Sequence, residues 1–74
     1  MEWNYGKPKH EQEVWVVHYN DPVHAIFLDV GTCGAYFFVD YDCMKAAYKC
    51  GPWIPYSDIK PEYVSEEQKV EMPF

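Results

Sequence analysis

The sequence predicts a small α+β domain, an antiparallel β-meander of three to four strands with one short helix. Three observations predict it. Runs of β-branched and aromatic residues alternate along the chain, strong turn chemistry separates them, and 74 residues leave room for one core only. A chain this short buries about 60% of the surface its unfolded form exposes, so the core must come from large side chains. Three Trp, seven Tyr and four Phe supply them. Each buries roughly 150–250 Å².

Residues 1–12 are polar and broken by Gly6 and Pro8, and read as a lead-in. The run 13–19, from Glu13 to Tyr19, is β-branched and aromatic and reads as a strand. Asn20-Asp21-Pro22 is turn chemistry, and a second strand follows from His24 to Val30. Gly31-Thr32-Cys33-Gly34 closes it, and a third strand runs from Ala35 to Tyr41. Within 42–50, Asp42 is placed to cap a short helix carrying Met44, Ala46, Ala47 and Tyr48. Gly51-Pro52-Trp53-Ile54-Pro55-Tyr56 is extended, with prolines suited to an edge strand. Residues 62–74 read as a Glu- and Lys-rich tail. The whole of 1–74 forms one domain.

Four-residue loops at 20–23 and 31–34 set Tyr19 opposite His24 and Val30 opposite Ala35. Alternation then sorts the side chains into two faces. One collects Trp15, Val17, Tyr19, Ile26, Leu28, Val30, Phe37 and Val39, and its nearly uniform apolarity marks it as the core side. The other collects Val14, Val16, His18, Phe27, Asp29, Tyr36, Phe38 and Asp40. Left open, this second face is an apolar, aromatic patch with an acidic rim. Covered, it is the other half of the core.

The charge balance excludes whole classes of function. Twelve acidic residues face six lysines, arginine is absent, and the net charge is -6. Direct nucleic-acid binding needs clustered cations that neutralise phosphates, so it is excluded, and an anionic membrane surface is disfavoured. The same balance keeps an aromatic-rich protein in solution and suits a partner with a basic surface. No stretch approaches the ~20 apolar residues of a membrane span, and the first residues lack the pattern of a signal peptide. Cys33, Cys43 and Cys50 are odd in number, so free thiols in a reducing cytoplasm are expected.

Catalysis and metal binding find little support. The three cysteines contain no close pair of the kind structural zinc sites use, and His10, His18 and His24 are scattered, so no metal and no cofactor are expected. Cys33 falls at the far end of its strand from His18 and His24, too distant for a nucleophilic pair. His18 and Asp40 share a face but lie two strands apart, roughly 9–10 Å. Gly31-Thr32-Cys33-Gly34 lacks the lysine of a phosphate loop. The expectation is therefore a protein that binds and does not catalyse. Phe27, Tyr36 and Phe38 are its anchors, and Asp29, Asp40 and Asp42 are its steering charges. A symmetric dimer packed sheet on sheet uses the same face. A small-ligand site between protomers, lined by aromatics, is the alternative from another class, and a metal-dependent protein is a more distant third.

Trp3, Pro8 and Glu13-Val14-Trp15-Val16-Val17 at the start, with Trp53-Ile54-Pro55 and Asp58-Ile59-Lys60-Pro61 towards the end, resemble a family of short phage and prophage proteins. About a third of the chain carries the similarity. The resemblance implies a phage or mobile-element origin and assigns no catalytic residue. Small acidic phage proteins often inhibit host defence or host enzymes. By that analogy this chain is an anti-CRISPR-like inhibitor, occluding a basic surface as a nucleic-acid mimic in the host cytoplasm.

Overall fold

The computed structural model describes residues 2–64, and its framework is one antiparallel sheet of five strands. Strand β1 spans Glu13–His18, β2 Asp21–Leu28, β3 Ala35–Phe38, β4 Cys43–Ala46 and β5 Trp53–Pro55. Their order across the sheet is β4-β3-β2-β1-β5. The meander is present, with two more strands than its three-strand core.

The first hairpin is tighter than expected. Tyr19 and Asn20 both take positive φ, 53° and 62°, so the loop has two residues and His18 faces Asp21. Two adjacent left-handed residues match the right-handed twist of the flanking strands. Asn accepts that conformation readily, whereas a tyrosine there is unusual. Asp21 and Pro22 therefore belong to β2 and not to the turn, and Trp15, not Tyr19, lies opposite His24. Pro22 is tolerated because its partner Val17 turns its own N–H and C=O the other way, to Pro52 O (2.9 Å) and Gly51 N–H (2.8 Å).

The second connection is longer than expected, 29–34, and sets Leu28 opposite Ala35. Both registers thus slip by an even number of residues, and an even slip leaves every side chain on its expected face. The division into two faces is as the sequence predicts, but the core is on the other one. Val14, Val16, Val23, Ala25, Phe27, Tyr36 and Phe38 form the buried cluster. Of the face expected to be the core only Val17 is buried, while Trp15, Ile26, Leu28 and Phe37 are half-buried and Tyr19, Val30 and Val39 exposed.

Coverage decides which face is dry. The helix expected over 42–50 is absent: Cys43–Ala46 pairs with β3 as a strand, and only Ala47–Lys49 winds into one 3-10 turn. Asp42 has a φ of 52° and closes the β3–β4 turn, so it caps nothing. The segment 47–52 then carries the chain from β4 at one sheet edge to β5 at the other. Four strand spacings are about 19 Å in a flat sheet. From Ala46 to Trp53 a 3-10 turn rising about 2.0 Å per residue, followed by extended residues at about 3.3 Å each, reaches about 19 Å, so the link crosses the sheet with little slack. Ala47, Cys50 and Trp53 pack against the buried cluster as the link passes.

The lead-in completes the cover. Asn4 exchanges two backbone hydrogen bonds with Trp53 (2.8 and 3.0 Å), and the Trp53 indole N–H donates to Gly6 O at 2.7 Å. Pro8 is buried, and Glu11 and Gln12 bond the backbone of Phe27. After β5, Tyr56 stacks on Trp15 (5.3 Å) and His24 (3.9 Å), and Trp15 Nε1 donates to Ser57 O. Of the expected tail, Tyr63 packs edge-on against Trp3 at 5.2 Å. Residues 65–74 lie outside the described residues.

Candidate functional site

One end of the sheet gathers the β1–β2 turn, the 39–42 turn and the start of β4. Register places them together, since Val39 N–H donates to His24 O (3.0 Å) and Asp42 N–H to Phe38 O (2.8 Å). Between the two turns lies an open cleft of about 460 Å³, floored by the buried Val23 and Phe38. His18 packs on Phe38 (4.9 Å between ring centroids) and on Tyr19 (4.2 Å). Lys45 Nζ stands 5.6 Å from the centroid of the Tyr19 ring. Burial, and then the charge of Lys45, lower the His18 pKa below its ordinary value.

Tyr19 is 83% exposed and Tyr41 63%, so two large rings rise from the rim of an apolar floor. Asp40 and Asp42 flank Tyr41 in the same turn, both exposed, and neither makes an ion pair among the described residues. Two other aspartates are engaged, whereas Glu2, Asp58 and Glu62 likewise have no ion-pair partner among the described residues. Asp21 pairs with Lys60 at 3.0 Å, and Asp29 with Lys7 at 3.2 Å.

The expected anchors are displaced from this surface. Phe27, Tyr36 and Phe38 are core residues, 0%, 3% and 1% exposed, because the 47–52 link and the lead-in cover the face they share. Only Phe38 approaches the cleft, as floor. Asp29 lies at the opposite end of the sheet, where its backbone N–H also donates to His10 Nδ1 (3.0 Å). Asp40 and Asp42 are brought together in one turn, where the sequence predicts a strand for Asp40 and a helix cap for Asp42. Tyr19, Tyr41 and Lys45 were not foreseen as site residues. The signal for Tyr19 was Asn20, which could have been read as half of a two-residue turn.

The thiols and imidazoles are dispersed. Cys33 and Cys50 are half-buried and bond the backbone of Gly34 and Ala46, while Cys43 is exposed. His24 Nε2 sits 3.3 Å from a Glu13 carboxylate oxygen. Among the described residues no group of three His, Cys, Asp or Glu side chains converges as metal ligands would. No helix among them is long and apolar enough to cross a membrane. Comparison with family models, curated proteins and solved structures finds no match to this chain.

Proposed function

We propose that this chain is a protein-binding module that docks the turn-bearing end of its sheet onto a basic surface of its partner. The observation that carries the reading is the pairing of two exposed tyrosines, Tyr19 and Tyr41, with two acids, Asp40 and Asp42, that have no ion-pair partner among the described residues. Tyrosine offers large contact area at small entropic cost and is enriched where binding energy concentrates. Unneutralised carboxylates beside it raise the encounter rate with a cationic groove and fix the register of docking. The net charge of -6 acts in the same direction over the whole molecule.

A basic groove built for nucleic acid is the natural receptor for such a surface, with the carboxylates taking the place of phosphates. The resemblance to short phage proteins supports an inhibitor of a host defence or nucleic-acid-binding protein, acting in the host cytoplasm by occlusion and without catalysis.

A pull-down from bacterial lysate with the wild type beside a folded Tyr19→Ser/Tyr41→Ser variant tests the reading. The expected result is a protein retained by the wild type, lost by the variant, and bound more weakly as salt rises from about 50 to about 300 mM. Retention of the same proteins by both, or affinity indifferent to salt, contradicts it.

A further inference from the structure

A second cleft, of about 360 Å³, lies on the core face between the lead-in and the 3-10 link. Its walls are Tyr5 to Pro8 on one side and Ala47, Tyr48 and Cys50 to Pro52 on the other, and Phe27, Cys33 and Tyr36 reach its floor. The volume falls within the range of small-molecule sites, and the walls are mostly apolar and aromatic.

The floor contains one polar group with nothing to bind. Cys33 Sγ donates to Gly34 O (3.3 Å) and Cys50 Sγ to Ala46 O (3.7 Å). Tyr36 is 97% buried, counted from its 3% exposure, and its hydroxyl makes no hydrogen bond to the described residues. Among the described residues no fully buried side-chain oxygen or nitrogen lacks a partner, so the Tyr36 hydroxyl keeps some accessible surface, and Tyr36 is one of the residues that line the cleft. A ring locked in the core holds that hydroxyl fixed. Burial, and then the neighbouring Cys50, raise its pKa, so it stays a neutral donor at physiological pH. Burial likewise holds the Cys50 thiol protonated. Lys7, the one cation on the wall, is paired with Asp29 at 3.2 Å.

We propose that this cleft is a binding site for a small, uncharged aromatic molecule carrying a hydrogen-bond acceptor, which the Tyr36 hydroxyl engages. A neutral floor offers an anion no counter-charge and a cation no carboxylate. An apolar body excludes water from the walls, and a carbonyl-type oxygen meets the one free donor. The site is separate from the docking end of the sheet and does not depend on it.

Indanone, a bicyclic aromatic ketone, and indane, the same skeleton without the oxygen, are the probes. Both are titrated into the ¹⁵N-labelled protein while amide shifts are followed by NMR. The expected result is saturable shifts at Gly6, Ala47 and Gly51 with indanone. In Tyr36→Phe, indanone binding is about three- to tenfold weaker and indane binding unchanged. Gly6→Leu guards against a Tyr36→Phe variant that fails to fold. Gly6 lines the cleft and an added Cβ there meets nothing within 4 Å, so a leucine is accommodated without a clash and should weaken binding of both probes. Absence of shifts at these amides, equal indanone affinity in Tyr36→Phe, or undiminished binding in Gly6→Leu overturns the proposal.

Discussion

Phe37 and Phe38 are neighbours in sequence with opposite fates. Phe38 is 1% exposed in the cluster with Val16 and Ala25, whereas Phe37 is only half-buried on the outer face between Ile26 and Met44. Truncating a fully buried Phe removes its transfer energy and leaves a cavity, so Phe38→Ala should cost about 3–5 kcal/mol in urea denaturation. Phe37→Ala should cost clearly less, about 1–2 kcal/mol. The reverse order would put the core back on the other face. His18 gives a residue-scale prediction in pH. Its folded pKa lies below the ordinary histidine value of about 6.5, chiefly through burial and then through Lys45. The unfolded chain therefore binds the proton more readily. The stability this contributes is present above about pH 6.5 and is lost as pH falls through 6.5 towards the folded pKa. In His18→Gln, stability measured between about pH 5 and 7 should lose that component of its slope. An identical slope in both proteins would contradict the assignment.

At the scale of elements, turns and links carry the specificity. Gly34 sits at φ 80° directly against the Phe27 ring, and a methyl group there would overlap ring atoms, whereas Gly31 at φ 68° faces open space. Gly31→Ala should cost about 1 kcal/mol for its backbone alone. Gly34→Ala should cost markedly more, and equal melting temperatures for the two variants would refute the close approach. Trp53 clamps the lead-in to β5 through Gly6 O, so Trp53→Phe should lose about 1 kcal/mol and speed hydrogen exchange at the Asn4 amide. Alternation made the meander and both faces legible from sequence, because even slips of register leave side-chain parity intact. The choice of core face was not legible. Both faces are rich in apolar residues, and what decides between them is the cover supplied by residues 47–52 and the lead-in, which involves long-range contacts with no local signature. The helix expected at 42–50 failed for a related reason: Met44, Ala46 and Ala47 favour helix individually, but a helix this short gains little, and pairing with β3 outweighs it. Of the site, Asp40 and Asp42 were legible as charged contact residues, but the sequence puts Asp40 in the third strand and Asp42 at a helix cap, and the turn they share was not legible. Tyr19 was not legible because a two-residue turn beginning at a tyrosine is rare, nor was Tyr41, which reads as the last residue of the third strand.

For the whole molecule, shape and charge point the same way. The sheet buries one aromatic face and leaves Tyr19, Tyr41, Asp40 and Asp42 at one end, on a chain whose net charge is -6. Asp29 lies at the far end and is paired with Lys7, so the docking account assigns it no part in binding. The most direct measurement is the affinity of the wild type and of an Asp40→Lys/Asp42→Lys variant for the partner captured by the wild type, over a series of salt concentrations. Both residues are exposed in a turn, but Asp42 sits at φ 52°, where lysine costs about 1 kcal/mol more than aspartate, so circular dichroism first establishes that the variant is folded. The account predicts affinity at least about tenfold weaker in the variant at low salt, with the wild type's salt dependence largely gone. Equal affinity with the same salt dependence would contradict it, and would place the contact elsewhere on the molecule.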